Sequence, residues 1–429
     1  MPKSISRTSL CFCLLFPLAA LVQTARCQEA TESNAYSDAR KNAESVGINV
    51  AKLAQATAAL QSLVDNKKIA GAVIMVSRRG KVVLADSVGL GSLESKQPMQ
   101  LDSIFRIYSM TKAVTSVAAM QMVESGKLDL DTPISKYMPE FASVKDSSAT
   151  SQSPTVRDLL RHTSGLTYGI FGDTPVDRQY RAAGILSRND SNKVLVEKLG
   201  KLPLQFQPAT KFHYSVSVDV LGRLVEVVSG NSIDEQFTKN IFAPLGMKDT
   251  GFYVPDGKSS RLVDNFGPDS EGGLRTTEQA ATSQFLRNPT FLSGGGGLVS
   301  TAGDYMRFCQ MLCGLGEFRG VRLLKEESVR EMTRDQLPKV AYPIEVNGIK
   351  REGVGFGLGF SVVVEPIPGF EYVPKGEYGW GGAASTHFWI SPKHELAVVV
   401  LSQFMPFTFQ CESAVKPLIY SAMETGSSK

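Results

Sequence analysis

The sequence has few residues of the types that bind metals or form disulfides. It contains four histidines and six cysteines in 429 residues, and three of the cysteines fall within the first 27. The remaining three do not make a disulfide framework, and no cluster with metal-ligand spacing surrounds them. Cys309 and Cys313, four positions apart on a predicted helix, are interpreted as buried core thiols. We predict no metal site and no cofactor.

A strong charge imbalance is also absent. The formal net charge is +4, and three cations lie in the first 27 residues, which contain no acid, so the rest carries only +1. This balance argues against a nucleic-acid partner. The 42% hydrophobic content is that of a globular protein with a sizeable core.

A long apolar run occurs only near the N-terminus. Residues 10–22 are apolar and follow Lys3 and Arg7, and small residues flank Arg26 ahead of Gln28. This pattern predicts a signal peptide over residues 1–27 and export to the periplasm or the exterior. A lipoprotein anchor on Cys27 is the alternative. No later apolar run approaches about 18 residues, so we expect no membrane span in the mature chain.

Periodicity divides the rest of the chain into a sheet domain and an inserted helical one. We predict a flexible leader at 28–46, a sheet domain with flanking helices at 47–126 and 293–429, and a mostly helical domain at 127–292. The predicted elements of the sheet domain are an amphipathic helix at 49–64, a hairpin turning at Arg78-Arg79-Gly80, a buried helix at 109–125, three late antiparallel strands at 355–364, 384–391 and 395–403, and a final helix at 411–424. The fold class is α/β (α+β), a helix-flanked antiparallel sheet with a helical insertion.

The buried helix at 109–125 carries an unexpected lysine. Lys112 follows Ser109 by three positions, and the segment after it is almost entirely apolar. Residues three apart share a helix face. A lysine removed from water favours its neutral form and can take a proton from a serine hydroxyl, which makes the serine a nucleophile. A capping serine with a solvated lysine is the structural alternative.

Other catalytic patterns are missing. No G-x-S-x-G elbow is present, which disfavours an α/β-hydrolase. The glycine run 294–297 is not followed by Gly-Lys-Ser/Thr, which disfavours a phosphate-binding loop. We expect this run to line a cleft or to turn tightly, and we expect no triad role for His162 or the other histidines.

Five blocks of sequence carry a family resemblance. In chain order they are FRIYSMTKAVTS, VRDLLRHTSGL, HYSVSVDVLGRLVEVVSG, LSGGGGLVSTAGDYMRF and YGWGGAASTHFWISP. Together they resemble the serine β-lactamase-related family, which contains class C β-lactamases, DD-peptidases and carboxylesterases. The resemblance spans residues 50–425 and implies a β-lactamase/transpeptidase-like fold. It also implies an active site between the two domains and acylation of the S-x-x-K serine, Ser109.

The resemblance assigns roles to two further segments. The family's Tyr-x-Asn element matches Tyr214-Ser215-Val216, with Tyr214 as general base or as partner of Lys112 in a proton relay. The family's Lys-Thr-Gly element, usually on an edge strand, matches Trp380-Gly381-Gly382, a predicted substrate-binding segment whose glycines let the backbone approach the substrate closely. The candidate oxyanion donors are the backbone N–H groups of Ser109 and Ala383.

Two departures from the family pattern favour the esterase branch. Val216 replaces an amide side chain that helps to hold a substrate amide, and Trp380 replaces a lysine that binds a substrate carboxylate. An indole has one donor and no charge. The sequence therefore predicts an exported serine hydrolase, a carboxylesterase acting on a small ester or lactone. A DD-peptidase or weak β-lactamase and a non-catalytic binding protein of the same fold are the alternatives.

Overall fold

The centre of the molecule is a seven-stranded antiparallel sheet built from both ends of the chain. The computed structural model describes residues 38–146, 150, 152–346 and 348–423. The strand order is β11-β12-β13-β14-β15-β1-β2. The strands are β1 Gly71–Arg78, β2 Lys81–Gly89, β3 Phe105–Arg106, β4 Asn265–Pro268, β5 Leu274–Glu278, β6 Val299–Ser300, β7 Glu317–Phe318, β8 Val321–Arg322, β9 Ile344–Val346, β10 Ile349–Arg351, β11 Val354–Phe356, β12 Ser361–Val363, β13 Tyr378–Gly382, β14 Thr386–Ser391 and β15 Leu396–Ser402.

Helices cover both faces of this sheet. Val73 and Met75 of β1 belong to one core cluster, while Ile74 and Val76 point into another. Because both faces are covered, the central strands β1 and β15 are buried along their whole length and are mostly apolar without strict alternation. The helices are α1 Ala39–Ser45, α2 Val50–Asp65, α3 Thr111–Glu124, α4 Val156–Leu160, α5 Pro175–Ala182, α6 Asn192–Leu199, α7 Ser217–Ser229, α8 Ile233–Phe237, α9 Ala243–Leu245, α10 Ala302–Cys313, α11 Glu326–Thr333 and α12 Gln410–Ser421.

Most predicted elements of the sheet domain are present within one or two residues, but the first of the late strands differs. The segment 355–364, predicted as one strand, contains the end of β11 and the whole of β12, because the chain reverses between Gly357 and Phe360. Strand β13, expected at an edge, lies third in the sheet because β11 and β12 extend the sheet beyond it. The mostly helical region also contains the hairpin β4–β5.

The prediction that residues 28–46 form a flexible leader is wrong for residues 39–46. Residues Ala39–Ser45 form helix α1, and Ala43 and Val46 are buried with the core residues of α2 and β1. Burial of these small apolar side chains offsets the entropy of ordering the segment. The predicted signal peptide, residues 1–27, lies outside the described residues. Within the described residues, no helix combines the length and the apolar character needed to span a bilayer.

The C-terminal helix is joined to the sheet by buried charges. Lys416 Nζ of α12 lies 2.6 Å from Glu377 Oε1 and 2.8 Å from Glu412 Oε1. His387 Nδ1 of β14 lies 3.0 Å from Glu412 Oε2. Burial alone raises the pKa of Glu412, but Lys416 and His387 outweigh it and hold that pKa well below its ordinary value. The ionised Glu412 therefore stabilises the folded state.

We predict that Glu412→Gln lowers stability in a pH-dependent way. Removing one partner from a buried ionic network costs on the order of 3 kcal/mol. Because the folded pKa of Glu412 is depressed, its contribution is complete above the unfolded pKa of roughly 4.3 and is lost as pH falls below it. Thermal unfolding of variant and parent at pH 7 and pH 3 should therefore show a large Tm difference that shrinks in acid.

The matched control is Glu365→Gln. Glu365 pairs with Lys375 at 3.1 Å, but both side chains are 69% exposed. Exposed pairs contribute little, so the Tm of this variant should stay near that of the parent at both pH values. An equal Tm deficit of Glu412→Gln at pH 7 and pH 3 would contradict the linkage.

Candidate active site

Ser109 lies in a tight turn at the start of the most buried helix. Residues Tyr108–Met110 form a 3₁₀ turn that continues into α3. Tyr108 has φ +40°, a strained backbone conformation for a residue with a bulky side chain. Ser109 is half-buried, whereas Met110 and the next ten residues of the helix are buried. The turn therefore presents one hydroxyl at the surface of an otherwise enclosed helix.

Lys112 is buried, with 1% of its surface exposed, and its amine contacts three oxygen atoms. Nζ lies 3.2 Å from Ser109 Oγ, 2.9 Å from Tyr168 Oη and 2.6 Å from the carbonyl oxygen of Gly295. The Gly295 carbonyl can only accept. A lysine ammonium has three donors, so this arrangement satisfies every one of them.

Asp219 supplies the buried negative charge near Lys112. It is 2% exposed at the start of α7 and accepts hydrogen bonds from the backbone N–H of Gly295 at 3.0 Å and from the hydroxyl of Ser293. Burial raises the pKa of Asp219, and the charge of Lys112 together with hydrogen bonds from Ser293, Gly295 and Tyr168 opposes that rise. Burial and the charge of Asp219 raise the pKa of Tyr168 well above its ordinary value. Tyr168 therefore stays a phenol that donates to Asp219 and accepts from Lys112.

Tyr214, which lies in the region 127–292, contacts the same serine. Its hydroxyl donates to Ser109 Oγ at 2.6 Å, and Lys112 Nζ lies 4.6 Å from the centre of its ring. The ring of His162 packs against Tyr214 at 4.8 Å. Burial and Lys112 hold the pKa of His162 well below its ordinary value, so this ring is neutral and fills the core beside Tyr214.

The Trp380 segment forms another wall of the site. The Trp380 ring centre lies 5.4 Å from that of Tyr214, and the indole nitrogen is 3.4 Å from Tyr214 Oη. A Cβ on Gly382 would lie 2.3 Å from the carbonyl oxygen of Ile107. Only glycine permits this approach of β13 to the serine turn. Ala383 directly follows the strand, next to that contact.

The glycine run 294–297 packs between α3 and α7 and belongs to no phosphate loop. Gly294 and Gly295 accept hydrogen bonds from Thr115 and Lys112 at 2.7 and 2.6 Å. A Cβ on Gly295 would lie 2.3 Å from Asp219 Oδ2, so the close approach requires glycine there.

Sequence reasoning selected the three reactive side chains that the fold brings together, Ser109, Lys112 and Tyr214, but missed Tyr168 and Asp219. A signal for Asp219 was present: it is an acid among Val218, Val220 and Leu221 on an apolar helix. Acids are rarely buried without a partner. Tyr168 had no comparable signal, since it lies in a loop.

The described residues contain no cluster of metal ligands, and their thiols are not reactive. Among the described residues, no group of three or more His, Cys, Asp or Glu side chains is arranged to hold a metal ion. Cys309 and Cys411 are buried free thiols, and Cys313 is half-buried. Burial raises the pKa of all three thiols, which makes them poor nucleophiles.

The helix-flanked sheet, with a serine and a lysine one turn apart at the start of a buried helix, defines the class of serine β-lactamase-type folds. The chain belongs to the β-lactamase family, whose model matches residues 56–414. This match confirms the family resemblance and the fold class.

The chain is also similar to two known proteins and to one solved structure. The chain is 36% identical to Protein Rv1367c of Mycobacterium tuberculosis over 81% of this chain and 89% of that protein. It is 31% identical to the lovastatin esterase of Penicillium rubens, over 79% of this chain and 90% of that protein. The solved structure of "EstCE1, a hydrolase with promiscuous acyltransferase activity" superposes with a TM-score of 0.77 at 25% identity, covering 86% of this chain and 99% of that one. The family and these relatives identify the chain as a serine hydrolase.

We predict that Tyr168→Phe reduces kcat by about 10- to 100-fold, because Lys112 loses a hydrogen-bond acceptor and Asp219 loses a donor. Hydrogen bonds to charged groups contribute about 1.5–3 kcal/mol, which corresponds to a rate change of this size. Tyr168 would act as a positioning residue, so its loss should also change the pH profile of kcat between pH 6 and 9. Ester hydrolysis measured at saturating substrate checks this.

Tyr180→Phe is the matched control for a lost phenol. The Tyr180 hydroxyl is buried and has no hydrogen-bond partner among the described residues, so its removal should leave kcat and its pH profile as in the parent. If Tyr168→Phe behaved like Tyr180→Phe, the role assigned to Tyr168 would be refuted.

Proposed function

We propose that this protein is an exported carboxylesterase that forms an acyl-enzyme on Ser109 and accepts uncharged small-molecule esters or lactones. The observation that carries the proposal is the convergence of two proton-handling groups on one hydroxyl, with Tyr214 Oη at 2.6 Å and Lys112 Nζ at 3.2 Å from Ser109 Oγ. Similarity to a lovastatin esterase and to the hydrolase EstCE1 supports the same class of reaction.

The hydrogen bonds around Lys112 favour Tyr214 as the group that takes the serine proton. In this proposal Lys112 acts as an ammonium, with its three donors directed at Ser109 Oγ, Tyr168 Oη and the carbonyl oxygen of Gly295. Its positive charge, 4.6 Å from the Tyr214 ring centre, stabilises negative charge on the phenol oxygen. Tyr214 therefore accepts the Ser109 proton as a phenolate, after losing to solvent the proton that it donates to Ser109 in the structure, and Lys112 holds the Ser109 oxygen in place.

The proposed reaction has two half-steps. Ser109 Oγ bonds to the ester carbonyl carbon while its proton passes to Tyr214, and the backbone N–H groups of Ser109 and Ala383 stabilise the oxyanion. The carbon–oxygen bond to the alcohol then breaks, and Tyr214 returns the proton to the leaving oxygen. Water repeats the sequence to release the acid. If an alcohol attacked the acyl-enzyme in place of water, the result would be acyl transfer, which is the promiscuous activity of EstCE1.

The walls of the site support a neutral substrate. Trp380 presents an apolar ring with one N–H donor where related enzymes carry a lysine, and Val216 is a buried apolar residue in place of an amide. A free carboxylate or a peptide amide gains no ion pair or amide contact from these two side chains. A neutral ester or lactone does not require such contacts.

Export is proposed from the sequence of residues 1–27. Protein recovered from the periplasm or the medium should begin at or near Gln28, because small residues flank the position before it. N-terminal sequencing of the exported protein checks this, and a retained N-terminus in the cytoplasm would contradict it.

The central prediction concerns Ser109→Ala. The variant should lose p-nitrophenyl butyrate hydrolysis by several orders of magnitude in kcat and should not be labelled by a fluorophosphonate, while its Tm stays close to that of the parent. Ser116→Ala is the matched control, because that hydroxyl lies on the same helix, buried and without a hydrogen-bond partner among the described residues.

The same assays distinguish the alternatives. Parental hydrolysis by Ser109→Ala would end the proposal. Absence of fluorophosphonate labelling in the parent would indicate a binding protein that keeps the fold. Fast turnover of nitrocefin with weak ester hydrolysis would indicate the β-lactamase or DD-peptidase alternative.

A further inference from the structure

Two large apolar side chains are exposed beside Tyr168 and Tyr214. Ile170 is 57% and Phe171 45% exposed. The ring of Phe171 lies edge-on to Tyr168, with centres 5.6 Å apart, and 6.0 Å from the centre of Tyr214. Single exposed apolar residues are common on protein surfaces. An adjacent pair that includes a ring in contact with both phenols of the Ser109 site requires a more specific explanation.

The loop that carries this pair is held in one conformation. Gly169 has φ +73°, and a Cβ on Gly172 would lie 2.7 Å from Asp177 Oδ2, so glycine is required on both sides of the pair. Arg181 donates to the carbonyl oxygens of Gly169 and Gly172. The clamp from Arg181 across the two glycines keeps Ile170 and Phe171 outside the core and beside the site.

The direction of proton transfer indicates which part of an ester meets this pair. In the proposed reaction the leaving oxygen takes its proton from Tyr214, so that oxygen must lie within hydrogen-bond distance of Tyr214 Oη. The carbonyl oxygen points instead to the N–H groups of Ser109 and Ala383. The alcohol portion therefore leaves the reaction centre on the side of the phenols, where Phe171 lies.

We infer that Phe171, with Ile170, forms the binding surface for the alcohol portion of the ester and selects apolar alcohols; this inference rests on the proposed esterase function. The chemistry is the acylation already described, in which Ser109 Oγ gains the acyl carbon and the alcohol leaves with the serine proton. An apolar alcohol of several carbons would cover the exposed ring and remove apolar surface from water.

The test compares two ester series on the parent and on Phe171→Ala. Ethyl, butyl and hexyl acetate vary the alcohol, and ethyl acetate, butyrate and hexanoate vary the acyl group. In Phe171→Ala the ratio of kcat/KM for hexyl acetate to that for ethyl acetate should fall by roughly 10-fold or more, as expected for loss of a buried ring contact. The corresponding ratio in the acyl series should change by less than about 3-fold. Phe171→Leu should recover part of the lost ratio.

Controls separate this inference from the esterase proposal. Phe370→Ala removes another exposed ring, 39% exposed, that packs against Tyr372, and it should keep both ratios. Fluorophosphonate labelling of Phe171→Ala and Phe171→Leu shows whether their Ser109 site is intact. With labelling intact, an unchanged alcohol ratio, or an equal loss in the acyl series, overturns the inference and leaves the esterase proposal standing. Parental ester hydrolysis that survives Ser109→Ala overturns both.

Discussion

The site depends on one buried lysine amine that lies within hydrogen-bond distance of three oxygen atoms. Lys112 would be strongly destabilising on a helix enclosed by apolar residues if its charge stood alone. Hydrogen bonds to Ser109, Tyr168 and the Gly295 carbonyl, with Asp219 behind them, remove that cost and fix the amine in one position. The constraint acts in both directions. The acceptors make the lysine tolerable, and the lysine holds three separate chain segments at one point.

Close backbone packing makes this convergence possible. Gly295 allows the loop to approach Asp219, and Gly382 allows β13 to approach the turn that holds Ser109, since a Cβ at either position would overlap its neighbour at 2.3 Å. These glycines therefore act on the chemistry through the backbone segments that they allow to approach each other. They bring the Gly295 carbonyl to Lys112 and set the strand before Ala383 beside the nucleophile. The strained φ of Tyr108 completes the same turn.

The sequence was sufficient for elements whose signal is local. The hairpin at β1–β2 and the buried helix follow from the periodicity of their apolar residues. Features that depend on tertiary contacts could not be predicted from the sequence in this way. The position of β13 inside the sheet depends on pairing with β12, which no property of its own five residues encodes. Tyr168 lies in a loop, so its contact with Lys112 follows only from the packing of α3 against the helical region.

Trp380 replaces the lysine with which related enzymes bind a substrate carboxylate, and this replacement changes which interactions can give the site affinity for a substrate. The Lys112 ammonium is already occupied, and at the position of that lysine Trp380 offers a ring packed on Tyr214. An anionic substrate would therefore lose its solvation without gaining an ion pair at that position. In the proposed esterase reaction a neutral ester avoids this cost and contacts the rings around Ser109. Binding by apolar area is weakly directional, so orientation must come from the few fixed polar groups: the two N–H donors for the carbonyl and Tyr214 for the leaving oxygen. This division of roles explains why a site lined by aromatic rings still requires its hydroxyl, amine and phenol to be held so rigidly.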